Sequence, residues 1–343
     1  MNKMNETEIA EFIVKYGSAY NHRYIERKKW DEIQLKSIDN DYKDLDNWLT
    51  NHEEKKKNYQ TMEVISNKIP NNNYLIFNIW ITVGIVDFVD FYDILINSNI
   101  KIVGGGSIIT SMSMMNNLFI ARLMEKELIE HNDYIEIPII LFEMLTPNGF
   151  PLYLQNFDNI GIVLTVGKFN AYISKVKFDY QENESKINAN NFFNFTVLQC
   201  ISNNYILNNE SSVYHPFLIN PCKMILFEFY NYEIDEPILQ SIVLSICGHP
   251  IEYNIDDSII CSEFDNKKIY CLSLTPEYKT EEDMIKFFSS KRQYSMIGMN
   301  LSNDLKIIFK FDREYYKLGV NISAIGSNQM RFMSGLIGLA YSQ

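Results

Sequence analysis

From residue 74 onward the chain alternates short apolar runs with turn-forming residues. Tyr74–Val83, Ile100–Val103, Tyr134–Phe142, Ile160–Val166 and Ala171–Phe178 are rich in β-branched and aromatic side chains, the composition of strands that bury at least one face. Pro147-Asn148-Gly149 and Gly104-Gly105-Gly106 punctuate them as turns. A polar stretch, Gln181–Asn190, interrupts the pattern and marks a domain boundary. Strands are then predicted again at Phe192–Val197, Met224–Tyr230, Ile238–Cys247, Ile269–Leu274, Leu305–Phe311 and Leu318–Ile325. Ser107–Glu130 breaks the rhythm: Ile108, Met112, Met115, Phe119 and Leu123 fall near helical spacing, which predicts a helix whose Met and Phe stripe packs in a core. Strands and helices do not alternate as a parallel sheet requires. Many short strands separated by turns predict β-sandwiches instead.

The stretch up to Pro70 reads differently. Ile9, Phe12, Ile13 and Tyr16 lie at helical spacing, and Arg23–Lys57 is a second charged, helical stretch. Its basic clusters, Arg27-Lys28-Lys29 and Lys55-Lys56-Lys57, are flanked by Glu26, Asp31, Glu32, Glu53 and Glu54, as on a solvated helix face. The predicted organisation is therefore mainly β: a charged helical segment over 1–70, then two consecutive sandwiches of jelly-roll size over 71–182 and 183–343.

Length and charge narrow the function. A chain of 343 residues can bury one large core or two medium ones. A formal net charge of -12 argues against duplex DNA binding, which depends on neutralising phosphates. The cysteines Cys200, Cys222, Cys247, Cys261 and Cys271 are odd in number and form no Cys-x-x-Cys pair; they point to a reducing compartment rather than a disulfide framework. The first residues, Met1-Asn2-Lys3-Met4-Asn5-Glu6, have no apolar core of the signal-peptide kind. The most apolar run, Tyr74–Val86, is too short to span a bilayer and is closed by Asp87, Asp90 and Asp93. A soluble, cytoplasmic chain is expected.

Candidate chemistry is sparse. Gly104-Gly105-Gly106-Ser107 lacks the Gly-Lys-Ser/Thr ending of a phosphate loop. His22, His52, His131, His215 and His249 are scattered without metal-ligand spacing. Cys247-Gly248-His249 reads as a turn after a strand, with Cys247 as a small core residue. Asp87, Asp90 and Asp93 read as an acidic loop, with Ca²⁺ binding as the sharper alternative. No Gly-x-Ser-x-Gly elbow is present. Asn183-Glu184-Ser185, Asn194-Phe195-Thr196 and Asn300-Leu301-Ser302 are glycosylation patterns that so Asn-rich a chain produces by chance. No catalytic, cofactor-binding or metal-binding residue is assigned, and no cofactor is expected.

The final stretch, Met330-Arg331-Phe332-Met333-Ser334-Gly335-Leu336-Ile337-Gly338-Leu339-Ala340-Tyr341-Ser342-Gln343, is apolar almost throughout. Gly335 and Gly338 would each cost about 1 kcal/mol in a helix. A buried strand is expected, with the glycines allowing close approach to another backbone. This tail resembles the C-terminus of the major capsid proteins of nucleocytoplasmic large DNA viruses: an Arg, a Ser-Gly, a second Gly, and a closing Leu-Ala-Tyr-Ser. Three further segments follow that family's order. Ile100–Ser107, with Gly104 and Gly105, is similar to its strand ending in Ile-Gly-Gly. Tyr134–Phe142 followed by Asn148-Gly149-Phe150-Pro151-Leu152-Tyr153-Leu154-Gln155 resembles its Ile-Pro-Leu and Pro-Leu-x-x-Leu-Gln passage. Ile269–Pro276 and then Met299-Asn300-Leu301-Ser302 resemble the strand and the Asn-Phe-Ser around its Pro-Ser-Gly loop. Ser295-Met296-Ile297-Gly298 stands where that loop would be, and the chain is short for the family.

The resemblance implies two jelly rolls side by side, a pseudo-hexagonal homotrimer and a structural, non-enzymatic place in a virion assembled in the host cytoplasm. Its partners would be copies of itself and other capsid proteins, with an internal viral membrane as a further candidate and neither nucleic acid nor a small-molecule substrate. Gly104, Gly105, Gly149, Pro151, Asn300, Arg331, Gly335 and Gly338 carry the motif: Gly104–Gly106 for a tight bend, Pro151 for a strand start or edge, and the tail glycines for close contact. An assembly scaffold or minor capsid protein fits the same residues. A carbohydrate-binding β-sandwich is the alternative of another class.

Overall fold

The computed structural model describes residues 60–64, 68–69, 74–84, 98–131, 134–145, 149–152, 160–166, 169–171, 173–182, 193–207, 210–216, 218–219, 221–230, 237–264, 267–274, 280–289, 298–301, 304–315, 317–333 and 336–339. The expected N-terminal helices, Asp87, Asp90, Asp93 and Gly335 lie outside them.

The described strands up to Glu182 form two sheets. The first orders β1 (Gln60–Val64), β11 (Ile173–Glu182), β3 (Tyr74–Gly84), β7 (Tyr134–Pro138) and β6 (Ile129–Glu130), with β8 (Phe150–Pro151) also on β3. The second orders β10 (Phe169–Ala171), β9 (Ile160–Val166), β4 (Ser98–Gly104) and β5 (Ser107–Ser113), with β2 (Lys68–Ile69) on β9. From Phe193 on, a third sheet orders β12 (Phe193–Ile206), β20 (Gly319–Met333), β14 (Cys222–Tyr230), β18 (Lys267–Ser273) and β17 (Ile259–Phe264), with β21 (Leu336–Leu339) on β20. The fourth orders β13 (Ser212–Tyr214), β19 (Leu305–Phe311), β15 (Leu239–Ile246) and β16 (His249–Asn254). Every described ladder is antiparallel, as the absence of strand–helix alternation predicts. The chain is mainly β, two sheet pairs in sequence.

Among the described residues four short helices interrupt the strands: α1 (Met114–Leu123), α2 (Leu141–Leu145), α3 (Ile255–Ser258) and α4 (Glu281–Ser289). Among the described residues no helix is long and apolar enough to cross a membrane.

Several expectations need correction. The stretch up to residue 70, read as helical, contains β1 and β2, which pair β11 and β9. The helix predicted over Ser107–Glu130 begins only at Met114; Ser107–Ser113 is a strand, so Ile108 is half exposed while Met112, Met115, Phe119 and Leu123 are buried. Tyr134–Phe142 is a strand only to Pro138 and then turns into α2. Proline cannot continue donating to a ladder, and Ile139 N–H makes a last bond to the Ile79 carbonyl before the chain turns. The last predicted strand runs on to Met333 and takes in the start of the tail. Cys247 is exposed, not a core residue: it shares a two-residue turn with Gly248, at φ of 50° and 81°, and Ile246 pairs with His249 across it.

Two buried clusters organise the interior. The second pair of sheets encloses one of its own, where Phe309 meets Phe227 and Phe229 edge-on, both at 5.3 Å between centroids. The larger cluster fills the first roll and extends into the third sheet, taking Cys200, Met224, Leu226, Ile269, Cys271, Ile325, Met330 and Phe332. The two sheet pairs thus share a core.

Candidate functional site

The third sheet is covered on both faces, and its strands deal alternate residues to the two sides. On β14, Met224 and Leu226 enter the shared cluster, while Ile225, Phe227 and Phe229 enter the second roll's own. On β18, Ile269 and Cys271 face one way, Tyr270 and Leu272 the other. Period-two geometry makes this inevitable once both faces are buried. The seam between the rolls is the face carrying Met224, Leu226, Ile269, Cys271 and Ile325.

Toward one end that face turns polar. Ser202 and Asn204 on β12, Asn321 and Ser323 on β20 and Glu228 on β14 replace the apolar residues. Ser202 Oγ donates to Asn321 Oδ1 at 2.9 Å, Ser323 Oγ donates to Ser202 Oγ at 2.9 Å, and Asn321 Nδ2 donates to Asn204 Oδ1. The first roll answers with the N-terminus of α1. Ser113, its N-cap, accepts from the Asn116 backbone N–H at 3.2 Å and donates through the same hydroxyl to Glu228 Oε2 at 3.0 Å. Asn116 Nδ2 donates to Ser323 Oγ at 2.9 Å. Asn117 ties the helix back to its own roll, donating to the Pro138 carbonyl at 2.7 Å and accepting from Ile140 N–H at 3.2 Å.

Beside this helix the edge of the third sheet is covered by side chains rather than by another ladder. Thr110 Oγ1 donates to the Cys200 carbonyl at 2.9 Å and accepts from its N–H at 3.1 Å; Ser111 Oγ accepts from Ser202 N–H at 3.1 Å. Gln199 Nε2 donates to the Ile109 carbonyl at 2.6 Å and its Oε1 accepts from Asn328 at 2.7 Å. An open edge of β12 would otherwise leave buried backbone groups unpaired or invite a foreign strand. At the far end, α4 buries Met284, Phe287 and Phe288 in the shared cluster, and Arg122 of α1 donates to the Glu263 carbonyl at 3.0 Å while stacking over Phe264.

The tail belongs to this seam. β21 folds back on β20, with Met333 opposite Leu336 and Arg331 opposite Gly338. Phe332 packs edge-on against Phe150 of the first roll, 6.2 Å between centroids. Ile337 is buried, and a Cβ at Gly104 would lie 3.0 Å from it and 2.9 Å from Ile109. Gly104 therefore lets the tail sit on the β4–β5 hairpin, whose two-residue turn, Gly105 and Gly106 at φ of 59° and 76°, has the primed geometry that suits strand twist. Gly149, at φ of 103° and with Leu75 and Phe77 each 2.8 Å from a would-be Cβ, admits only glycine. Pro151 is buried on the two-residue strand β8, opposite Leu75.

Asn300, Arg331 and Gly338 are not buried in this seam, and Gly335 lies outside the described residues. Asn300 is exposed, next to the Met299 bridge to Cys222. Arg331 is exposed, and a Cβ at Gly338 would meet nothing within 4 Å. Gly338→Ala is therefore expected to change stability by no more than about 0.5 kcal/mol, as surface substitutions do; a thermal melt checks this. A close approach that the sequence reading did not single out lies at Gly326 on β20, where a Cβ would collide with the Pro221 carbonyl oxygen and sit 2.8 Å from Ile219.

Titratable chemistry is limited. Burial pushes the Cys200 thiol well up and the Cys222 thiol to about 12, so these groups stay protonated and inert. Burial raises Glu228 to about 7 against the lowering pull of its Ser113 hydrogen bond and the Lys267 charge. Among the described residues no group of His, Cys, Asp and Glu is arranged to hold a metal.

The seam residues Ser113, Asn116 and Glu228 and the helix α4 escaped the sequence reading. Thr280 and Asp283 form a reciprocal capping pair at the start of α4, Asp283 N–H to Thr280 Oγ1 at 3.2 Å and Thr280 N–H to Asp283 Oδ2 at 3.1 Å. The run Thr280-Glu281-Glu282-Asp283 ahead of Met284 was a legible signal. For Glu228 the signal was one carboxylate inside an apolar strand.

No family model matches the sequence, and no curated protein matches it. Solved structures do. The chain is similar to PBCV-1 VP54, as fitted into a reconstruction of the virophage Sputnik, with 12% identity and a TM-score of 0.53 over 83% of this chain and 97% of that one. It is similar to a chain of the PBCV-1 virus capsid with 13% identity and a TM-score of 0.55 over the same shares. The two sheet pairs, their order along the chain and this likeness identify the fold as the double jelly roll of viral capsid proteins.

Proposed function

We propose that the chain is a structural building block of a viral capsid, and that three copies form a pseudo-hexagonal capsomer. The observation that carries this reading is the seam: two jelly rolls share one buried core and are also joined by side-chain hydrogen bonds from Thr110, Ser111, Ser113 and Asn116. A unit built to tile must present its two rolls in one fixed relation, since a lattice repeats any error in subunit shape. The likeness to the PBCV-1 capsid chain covers 83% of this chain and supports the same role. In this reading the protein acts by burial and not by catalysis, its partners are copies of itself and other capsid proteins, and its place is the virion.

Light scattering on purified protein is expected to give about three times the 40.3 kDa monomer, and negative-stain images to show pseudo-hexagonal particles. A strict monomer at micromolar concentration, alone and with virion extract added, would overturn the proposal. Flat membrane-bound sheets absent from the finished particle would make the chain an assembly scaffold instead.

A further inference from the structure

Glu228 sits where a carboxylate is least expected. It lies on the central strand β14, on the face toward the first roll, with Ile269 and Asn321 as its cross-strand neighbours and only 5% of it exposed. Its side chain accepts a hydrogen bond from across the seam, from Ser113 at the N-terminus of α1. The groups around it are mostly acceptors or already engaged as donors. Asn321 donates to Asn204, Asn116 Nδ2 donates to Ser323, and the buried Asn116 Oδ1 has no hydrogen-bond partner among the described residues. A neutral carboxyl brings one donor into this acceptor-rich seam and removes a charge from it; an ionised one does neither.

We propose that the joint between the two jelly rolls is proton-sensitive: it is tight when the Glu228 carboxyl is protonated and loosens when that carboxyl ionises. Among the described residues the charged groups facing it are few. On β18, Lys267 shares its face and favours the ionised form; on β14 itself Tyr230 feels its charge. The only charged residue of α1, Arg122, lies at the helix's other end on the Glu263 carbonyl, β5 carries no charge, and on β20 the only one is Arg331, ten residues from Asn321. Burial is thus opposed by one lysine and the helix N-terminus. The direction follows from linkage. The folded carboxyl titrates near 7, above its ordinary 4.5. Between those values the folded chain holds a proton that the unfolded chain has released, so the joint weakens as pH rises through the window and stays at its weaker level above it. The inference rests on the packing of the seam and not on the capsid reading.

The test compares the full-length chain with Glu228→Gln, which fixes the neutral shape. Hydrogen exchange of the α1 and β14 amides, with the intrinsic pH dependence removed, reports opening of the seam. From pH 5 to pH 8 the opening constant is expected to rise at least about tenfold in the wild type, as one unit of altered pKa implies, and to stay flat in Glu228→Gln. The melting temperatures of the two are expected to coincide near pH 5 and to separate by several degrees at pH 8, with the variant higher. Parallel pH profiles for the two proteins would overturn the proposal. Should Glu228→Gln fail to fold, Lys267→Met serves: loss of that charge moves the wild-type transition to higher pH, and an unmoved midpoint overturns the proposal equally. Trimers that persist unchanged while the seam titrates, or a seam that titrates in a protein that never trimerises, leave the inference standing and judge the capsid reading separately.

Discussion

Gly326→Val is expected to destabilise the second roll by about 3 kcal/mol or more, the upper end of overpacking costs. The position lies inside β20, opposite Gln199 on one neighbour and Cys222 on the other. A Cβ there meets the Pro221 carbonyl oxygen at a distance no real contact reaches, with Ile219 close behind. A flexible side chain could swing aside; this carbonyl cannot, because it accepts from Ser327 N–H at 3.2 Å and lies beside the register shift between Cys222 and Met224. Relieving the clash means moving β14 against β20, and those two strands carry the central residues of both cores. For a unit of this size the loss corresponds to roughly 6–12 °C in melting temperature. A Gly326→Val protein melting within about one degree of wild type would show that the strands are less tightly set than the contact implies.

The same strand shows what was legible beforehand and what was not. Leu318–Ile325 reads as a strand from its Val, Ile and Ala content, and the tail reads as apolar and glycine-bearing. Nothing local says that the two are one strand and its hairpin partner, because strand length is set by what lies across the ladder: β12 runs beside β20 from Phe193 to Ile206 and holds it extended to Phe332. Gly335 lies outside the described residues and Gly338 has open space around it, while the close approach at Gly326 escaped the sequence reading for a related reason. Gly335 and Gly338 stand out by their spacing, whereas Gly326 is marked only by Pro221, a residue far away in sequence. The seam was hidden differently. In β14 eight of nine residues are buried, so the alternation that normally separates inside from outside vanishes, and Met224–Tyr230 reads simply as apolar. Two cores on one strand erase the sign of either. Glu228 and Ser323 then look like ordinary surface interruptions until α1 is seen packed over them. Helix α1 itself was masked by Ser107–Ser113, whose Ile and Met residues continue the helical stripe by coincidence while their backbone pairs with β4.

The second large effect is expected at Ile337→Asp. Ile337 is 7% exposed and belongs to the shared core, resting on the β4–β5 hairpin where Gly104 leaves room for it. An ionised carboxylate cannot stay in that position without a partner, since burying an unpaired charge costs several kcal/mol. The cheaper response is for β21 to lift off β20, giving up its ladder to Met330–Met333 and uncovering Ile109 and Phe332 beneath it. Either route is expected to cost about 3 kcal/mol or more, in the range reserved for buried charges and lost packing. Ile337→Val, which removes one methylene and no contact of the backbone, should cost only about 0.5–1.5 kcal/mol. Thermal melts of the two variants, read with limited proteolysis of the tail, separate a packed strand from a loose one. If Ile337→Asp melts like wild type and its tail is cut no faster, β21 is not part of the folded unit. If it melts like wild type but no longer trimerises, the tail acts between copies rather than within one, and Gly338, open to solvent in the single chain, becomes the natural point of contact.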